Sequence, residues 1–144
     1  MLDQVTDYLS NARITDVSHI DSDITFQLGE IKLWVATAWR LEKEGAIVVG
    51  KDNLHENLSH EDYRDEYDSL KEFIKTCIQE ATIVEVNYSA FNEFILSLST
   101  GYIFRSFQTN GEDAENCQLY VGKQRYLVYP QRVDLEDLHQ FYKG

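Results

Sequence analysis

A chain of 144 residues with 43% hydrophobic and 12% aromatic residues and one proline is sized for a single domain with one core, so no long disordered tail is expected. Thirteen basic against 25 acidic residues give a net charge of -12, a field that repels phosphate backbones and anionic lipid and attracts basic surfaces. Direct nucleic-acid and membrane binding are therefore disfavoured, and a basic protein is the expected kind of partner.

The chain opens Met1-Leu2-Asp3-Gln4, acidic where a secretory signal is basic, and no apolar run approaches the ~20 residues that span a bilayer, so a cytoplasmic protein is expected. A short helix is predicted over residues 2–10. Alternating segments follow, as in Ile31, Leu33 and Val35 against Lys32, the period of half-buried antiparallel strands. Gly29 and Gly101 mark tight hairpin turns.

Laying the two halves over each other predicts an internal duplication, about 12–53 and 81–129, within one domain spanning 1–144. Segment 12–17 matches 81–86, segment 24–28 matches 94–98, and each pair runs into a glycine turn and a further strand. Segment 46–51 then matches 118–123, both apolar and both closed by Gly-Lys. The fold class expected is α+β, with about seven to nine strands in two related antiparallel units.

Between the halves, Tyr63, Tyr67, Leu70, Ile74 and Cys77 recur at spacings of four and three, which predicts a long central helix over 59–79 packed on a sheet face. Ser59 is placed to cap it, with Asp62 in the capping-box position. After Pro130 a short terminal helix is predicted over 135–142, capped by Asp134. Cys77 and Cys117 form no close pair and read as buried thiols.

Glu61, Asp65, Asp68 and Glu72 fall on one row of that helix, nearly opposite its apolar stripe. Such a row is by default a solvated face, but like charges at this spacing repel, and a basic partner would relieve them. Trp34 and Trp39, with Arg40, and Tyr102, Phe104 and Arg105 in the matching hairpin supply the aromatic and arginine side chains that interfaces concentrate. Trp34 and Trp39 are thus candidate anchors, against a bland role in packing.

His55, Glu56 and His60 gather near the helix start, yet five residues separate the histidines and no zincin spacing arises, so a solvated turn is preferred and no metal is expected. No nucleophile elbow, nucleotide-binding glycine loop or catalytic cysteine context is present. Neither a catalytic residue nor a cofactor is expected, although a carboxylate pair such as Asp21 with Asp23 can be judged only by geometry.

Trp39-Arg40-Leu41, Gly45, Ile47-Val48-Val49-Gly50 and Asp52 together resemble a small acidic bacterial immunity-like family associated with polymorphic-toxin systems. The resemblance covers residues 12–53 and implies a cytoplasmic protein that neutralises a toxin by direct contact. The second half departs from it, with Gln108-Thr109-Asn110-Gly111 where the tryptophan-arginine element would stand. The expected function is stoichiometric inhibition of a basic toxin domain, a nuclease being a plausible target. The alternatives are a ligand held between the units by Trp34, Trp39 and Arg105, or an enzyme with paired carboxylates. Homodimerisation through an unpaired strand edge fits all three.

Overall fold

Alternation along the chain gives each strand one apolar and one polar face, and two such surfaces bury each other most simply as stacked sheets. The computed structural model describes residues 1–54, 64–111 and 113–138, and among them places eleven strands in two antiparallel sheets, with two α-helices. Helix α1 (Leu2–Leu9) leads into a meander of β1 (Asp16–Ile20), β2 (Asp23–Leu28) and β3 (Ile31–Val35). The chain then crosses to the other sheet as the hairpin β4 (Ala38–Lys43) and β5 (Ala46–Gly50), followed by a 3-10 turn at Lys51–Leu54. Helix α2 (Arg64–Ile78) precedes a second meander, β6 (Ile83–Tyr88), β7 (Phe94–Leu98) and β8 (Ile103–Phe107). Finally β9 (Cys117–Val121), β10 (Gln124–Val128) and β11 (Val133–Asp137) return to the first sheet.

The six-stranded sheet therefore runs β1-β2-β3-β9-β10-β11 and the five-stranded sheet β5-β4-β8-β7-β6. Each sheet joins a meander from one half of the chain to strands from the other, through β3 with β9 and β4 with β8. Between the sheets the Phe26 and Phe104 rings meet edge-on at 4.9 Å, and Trp39 stacks on Phe104 at 6.0 Å. Ile24, Leu33, Leu41, Phe94, Leu96 and Leu119, all fully buried, fill the space around them.

Both helices close the open sides of this sandwich. Helix α2 lies against β1 and the 3-10 turn, with Ile74, Cys77 and Ile78 buried, while Thr100 Oγ1 donates to Cys77 O at 2.9 Å. Helix α1 lies against β6 and sets Tyr8 beside Tyr126 of β10, with Val5 and Leu9 buried. Its Thr6 hydroxyl is 2.7 Å from Tyr88 Oη. After each helix one residue takes a left-handed conformation, Asn11 at φ 63° and Glu80 at φ 69°, and a short antiparallel bridge forms between the segments that follow. Its bonds come in matched pairs. Ile14 N–H donates to Ala81 O and Ile83 N–H to Ala12 O, both at 2.8 Å, while Asn11 N–H reaches Ile83 O and Glu80 N–H reaches Ile14 O.

Several expectations change. The strands outnumber the seven to nine predicted, because segments 38–50 and 117–137 each supply strands to the opposite sheet. Segment 46–51 was matched with 118–123, yet β5 is an outer strand whereas β9 is an inner one that holds the place equivalent to β4. The terminal helix over 135–142 is not formed in its described part. Val133 to Asp137 is strand β11, in which Leu135 pairs with Tyr126 and Glu136 with Arg125, so the ladder to β10 outweighs the local cap signal at Asp134. The central helix is described from Arg64, and it packs against the edge strand β1 and not across a sheet face. Ser59, Asp62 and Tyr63 lie outside the described residues.

Candidate functional site

Helix α2 turns Tyr67, Leu70, Ile74 and Cys77 inward and so must present Asp65, Asp68 and Glu72 outward. All three are exposed, and among the described residues no ion pair engages them. The basic residues of the same helix are committed elsewhere, Lys71 over the Tyr67 ring at 5.0 Å and Lys75 against Asp16 at 3.3 Å. Beside the carboxylates stands Phe73, 42% exposed. An aromatic ring that water reaches, on a helix that also carries an exposed acidic row, has the make-up of an interface anchor. The sequence reading passed over Phe73, although its position off the apolar stripe marks it as outward-facing. Glu61, the first member of the row, lies outside the described residues, as do His55, Glu56 and His60.

The two tryptophans part company. Trp39 is a core residue, 1% exposed, its indole N–H donating to Ser22 O at 3.0 Å. It is not available as a surface anchor, because period-two alternation with Leu41 points both inward on β4. Trp34 lies on the outer face of the six-stranded sheet, opposite Thr25 on β2 and Gln118 on β9. It is half-buried, and its indole nitrogen is shielded without a hydrogen-bond partner among the described residues. Arg105 lies on the outer face of the other sheet. Trp34, Trp39 and Arg105 are thus divided between two outer surfaces and the core, and the ligand site expected between them is not assembled. Asp21 is in an exposed turn and Asp23 is paired with Lys51 at 3.1 Å, so the two carboxylates do not converge as an acid-base pair.

One end of the sandwich is built with more care. Loops 89–93, 108–116 and 129–132 meet there around Asn116, 1% exposed. Its amide donates to Phe91 O at 2.8 Å and to Asn92 O at 3.1 Å, and its Oδ1 accepts from Gln108 Nε2 at 3.3 Å. The Asn92 amide reaches Tyr129 O at 3.0 Å, and Thr37 Oγ1 donates to Asn116 O at 3.2 Å. The loops at this end are thus tied to one another by the side chains of Asn116, Asn92, Gln108 and Thr37. Arg132 stacks on Tyr129 at 3.9 Å and forks onto Asp113, whose carboxyl is thereby held below its usual range.

Beside this end a cleft of about 740 Å³ crosses the outer face of β4. Ala38, Arg40 and Gly50 form its floor, Ile47 and residues 51–53 one wall, and Phe107 and residues 108–110 the other. Cys77 and Cys117 are buried free thiols, and burial, with Glu115 nearby, pushes the Cys117 thiol well up. No helix among the described residues is long and apolar enough to cross a membrane. No family model matches the chain, and neither does any curated protein or solved structure.

Proposed function

We propose that the chain is a non-catalytic binding protein of the cytoplasm that neutralises a basic partner, of the toxin-domain kind, by direct contact through the outer face of α2. The observation that carries this reading is the exposed row of Asp65, Asp68 and Glu72, without ion pairs among the described residues, on the same helix as an exposed Phe73 and on a molecule of net charge -12. Three carboxylates on one ridge steer a cationic surface into encounter, and an aromatic side chain then gives the docked complex its lifetime. A nuclease suits such a partner, since a carboxylate ridge can occupy a site built for phosphates.

The same reading includes an internal duplication. It is supported by the recurrence of helix, meander and crossover in each half, and by the matched bonds of the 11–14 and 80–83 segments. The test is capture of basic proteins from the native host by the intact chain at low and high salt, repeated with Asp68→Asn/Glu72→Gln and with Phe73→Ala. The reading expects a basic protein retained at low salt, slower association for the neutralised variant and faster dissociation for Phe73→Ala. Retention unaffected by salt and by all of these substitutions would refute it.

A further inference from the structure

Arg40 and Arg105 face each other directly across β4 and β8 on the outer side of the five-stranded sheet. Like charges in that position repel. Here a single carboxylate offsets the repulsion: Glu42, two residues along the same face and 15% exposed, accepts from Arg40 Nε at 2.6 Å and lies 2.8 Å from Arg105 Nε. The second contact is off the hydrogen-bonding line and acts as an ion pair. Burial raises the Glu42 carboxyl, but the Arg40 bond and the two neighbouring guanidinium charges outweigh it and hold its pKa below the usual value. Glu42 therefore stays charged and holds both guanidinium groups by their inner nitrogens.

The outer nitrogens of both groups have no bonded partner among the described residues. Phe107 fixes the Arg40 plane from the side, with the guanidinium carbon 5.3 Å from the ring centroid. Two forks held ready by one carboxylate leave a local charge of about +1, which matches one carboxylate better than a phosphate dianion. Arg40 and Phe107 also line the cleft over β4, whose volume is in the range of small-ligand sites. Lys51 is not free to compete, being bonded to Asp23 and Ala36 O. Towards the loop end the lining turns acidic, with Asp52 and Glu115, while Ala38 and Phe107 give an apolar stretch in between.

We propose that this cleft binds a small organic carboxylate with an aliphatic body and a neutral or cationic far end. The carboxylate sits on Arg40 at the cleft, with Arg105 beside it on β8, the body runs over Ala38 along Phe107, and the far end meets Asp52 and Glu115. From Arg40 to Thr37 the strand direction covers about 10 Å, the reach of an ω-amino acid of moderate length. This site is distinct from the outer face of α2, so either can fail without the other.

The test is a titration followed by amide shifts in NMR, using hexanoate, 6-aminohexanoate, adipate and hexylamine. Shifts confined to β4, β5, β8 and the 108–110 loop are expected for the two monocarboxylates, with 6-aminohexanoate at least as tight as hexanoate and adipate weaker. Arg105→Gln, which leaves Glu42 bonded to Arg40, should weaken both by about tenfold or more. Ala38→Leu, which fills the floor, should abolish the shifts while the rest of the spectrum is retained. Absence of monocarboxylate shifts up to about 10 mM, equal binding of hexylamine, or unchanged affinity in Arg105→Gln would each overturn the proposal.

Discussion

Replacing His19 by asparagine should flatten the acid side of the stability profile, and the structure sets the size of the effect. His19 is on β1 with its ring 6.3 Å from Trp39, and both ring nitrogens are shielded, with no well-formed hydrogen bond among the described residues. Burial first, and then the Lys71 charge on α2, lower its pKa to about 4, against a weaker opposing contact from the Asp23 backbone. The unfolded chain takes up this proton near pH 6.5 and the folded chain only near 4, so stability is lost as pH falls through that window. At pH 5 the full shift corresponds to about 2 kcal/mol, and screening at a partly accessible ring reduces this to about 1 kcal/mol. With a urea dependence of about 2 kcal/mol per molar, the wild-type midpoint should fall between pH 7 and 5 by about 0.5 M more than that of His19→Asn. The Glu42 contribution is lost only as pH falls through the ordinary carboxyl value of 4.5 and below, under the pH 7 to 5 range compared, and it is common to both proteins. The other histidines cancel in the comparison. Equal falls for the two proteins, or a wild type that gains stability on acidification, would refute the assignment of a neutral, shielded imidazole.

Further outcomes follow from the packing and the charge row. Asp68→Asn removes repulsion with Asp65 and Glu72 and should raise stability by about 0.4–1 kcal/mol, a rise in Tm of about 1–3 °C, while slowing association with a basic partner. Opposite signs in calorimetry and binding kinetics would separate interface from scaffold. Asn116→Ala leaves the carbonyls of Phe91 and Asn92 without their partner and the Gln108 amide with Ala114 O alone, and should cost about 2–3 kcal/mol in urea unfolding, with faster amide exchange in 89–93 and 108–111. Trp39→Leu should cost about 3 kcal/mol or more by the same measure, and Trp34→Leu well under half of that, because only the first ring fills the space between the sheets. Cys117 should react with a thiol reagent at the rate of unfolding, its thiol being buried and hard to ionise.

Hairpins were legible because their determinants are local. The alternation of Ile31, Leu33 and Val35 and the left-handed Gly29, φ 67°, specify β2, β3 and their turn within a dozen residues. What alternation does not encode is which strand lies beyond the hairpin. Pairing of β3 with β9 and of β4 with β8 joins residues far apart in sequence, so the sandwich was not readable although most of its strands were. At 133–137 a cap-like aspartate after a proline spoke for a helix, but Val133 and Leu135 also alternate with Asp134 and Glu136, and the free edge of β10 decided between the two periods. The site divides in the same way. The outward row on α2 follows from helical geometry alone, Trp39 was misplaced because its strand was not phased from Leu41, and the Arg40–Glu42–Arg105 group required knowing that β8 lies beside β4.

The exchange of strands between the two sheets has a consequence for how the molecule comes into being. Neither half of the chain can complete a sheet from its own residues, so a ribosome must have released the chain through β8, to Phe107, before the five-stranded sheet can close, and through β11 before the six-stranded one can. Early intermediates carry open ladders at β3 and β8, each waiting for a distant segment, which favours slow, all-or-none folding over stepwise growth. Two separately made halves should behave as complementary fragments, each disordered alone and each the template on which the other becomes native.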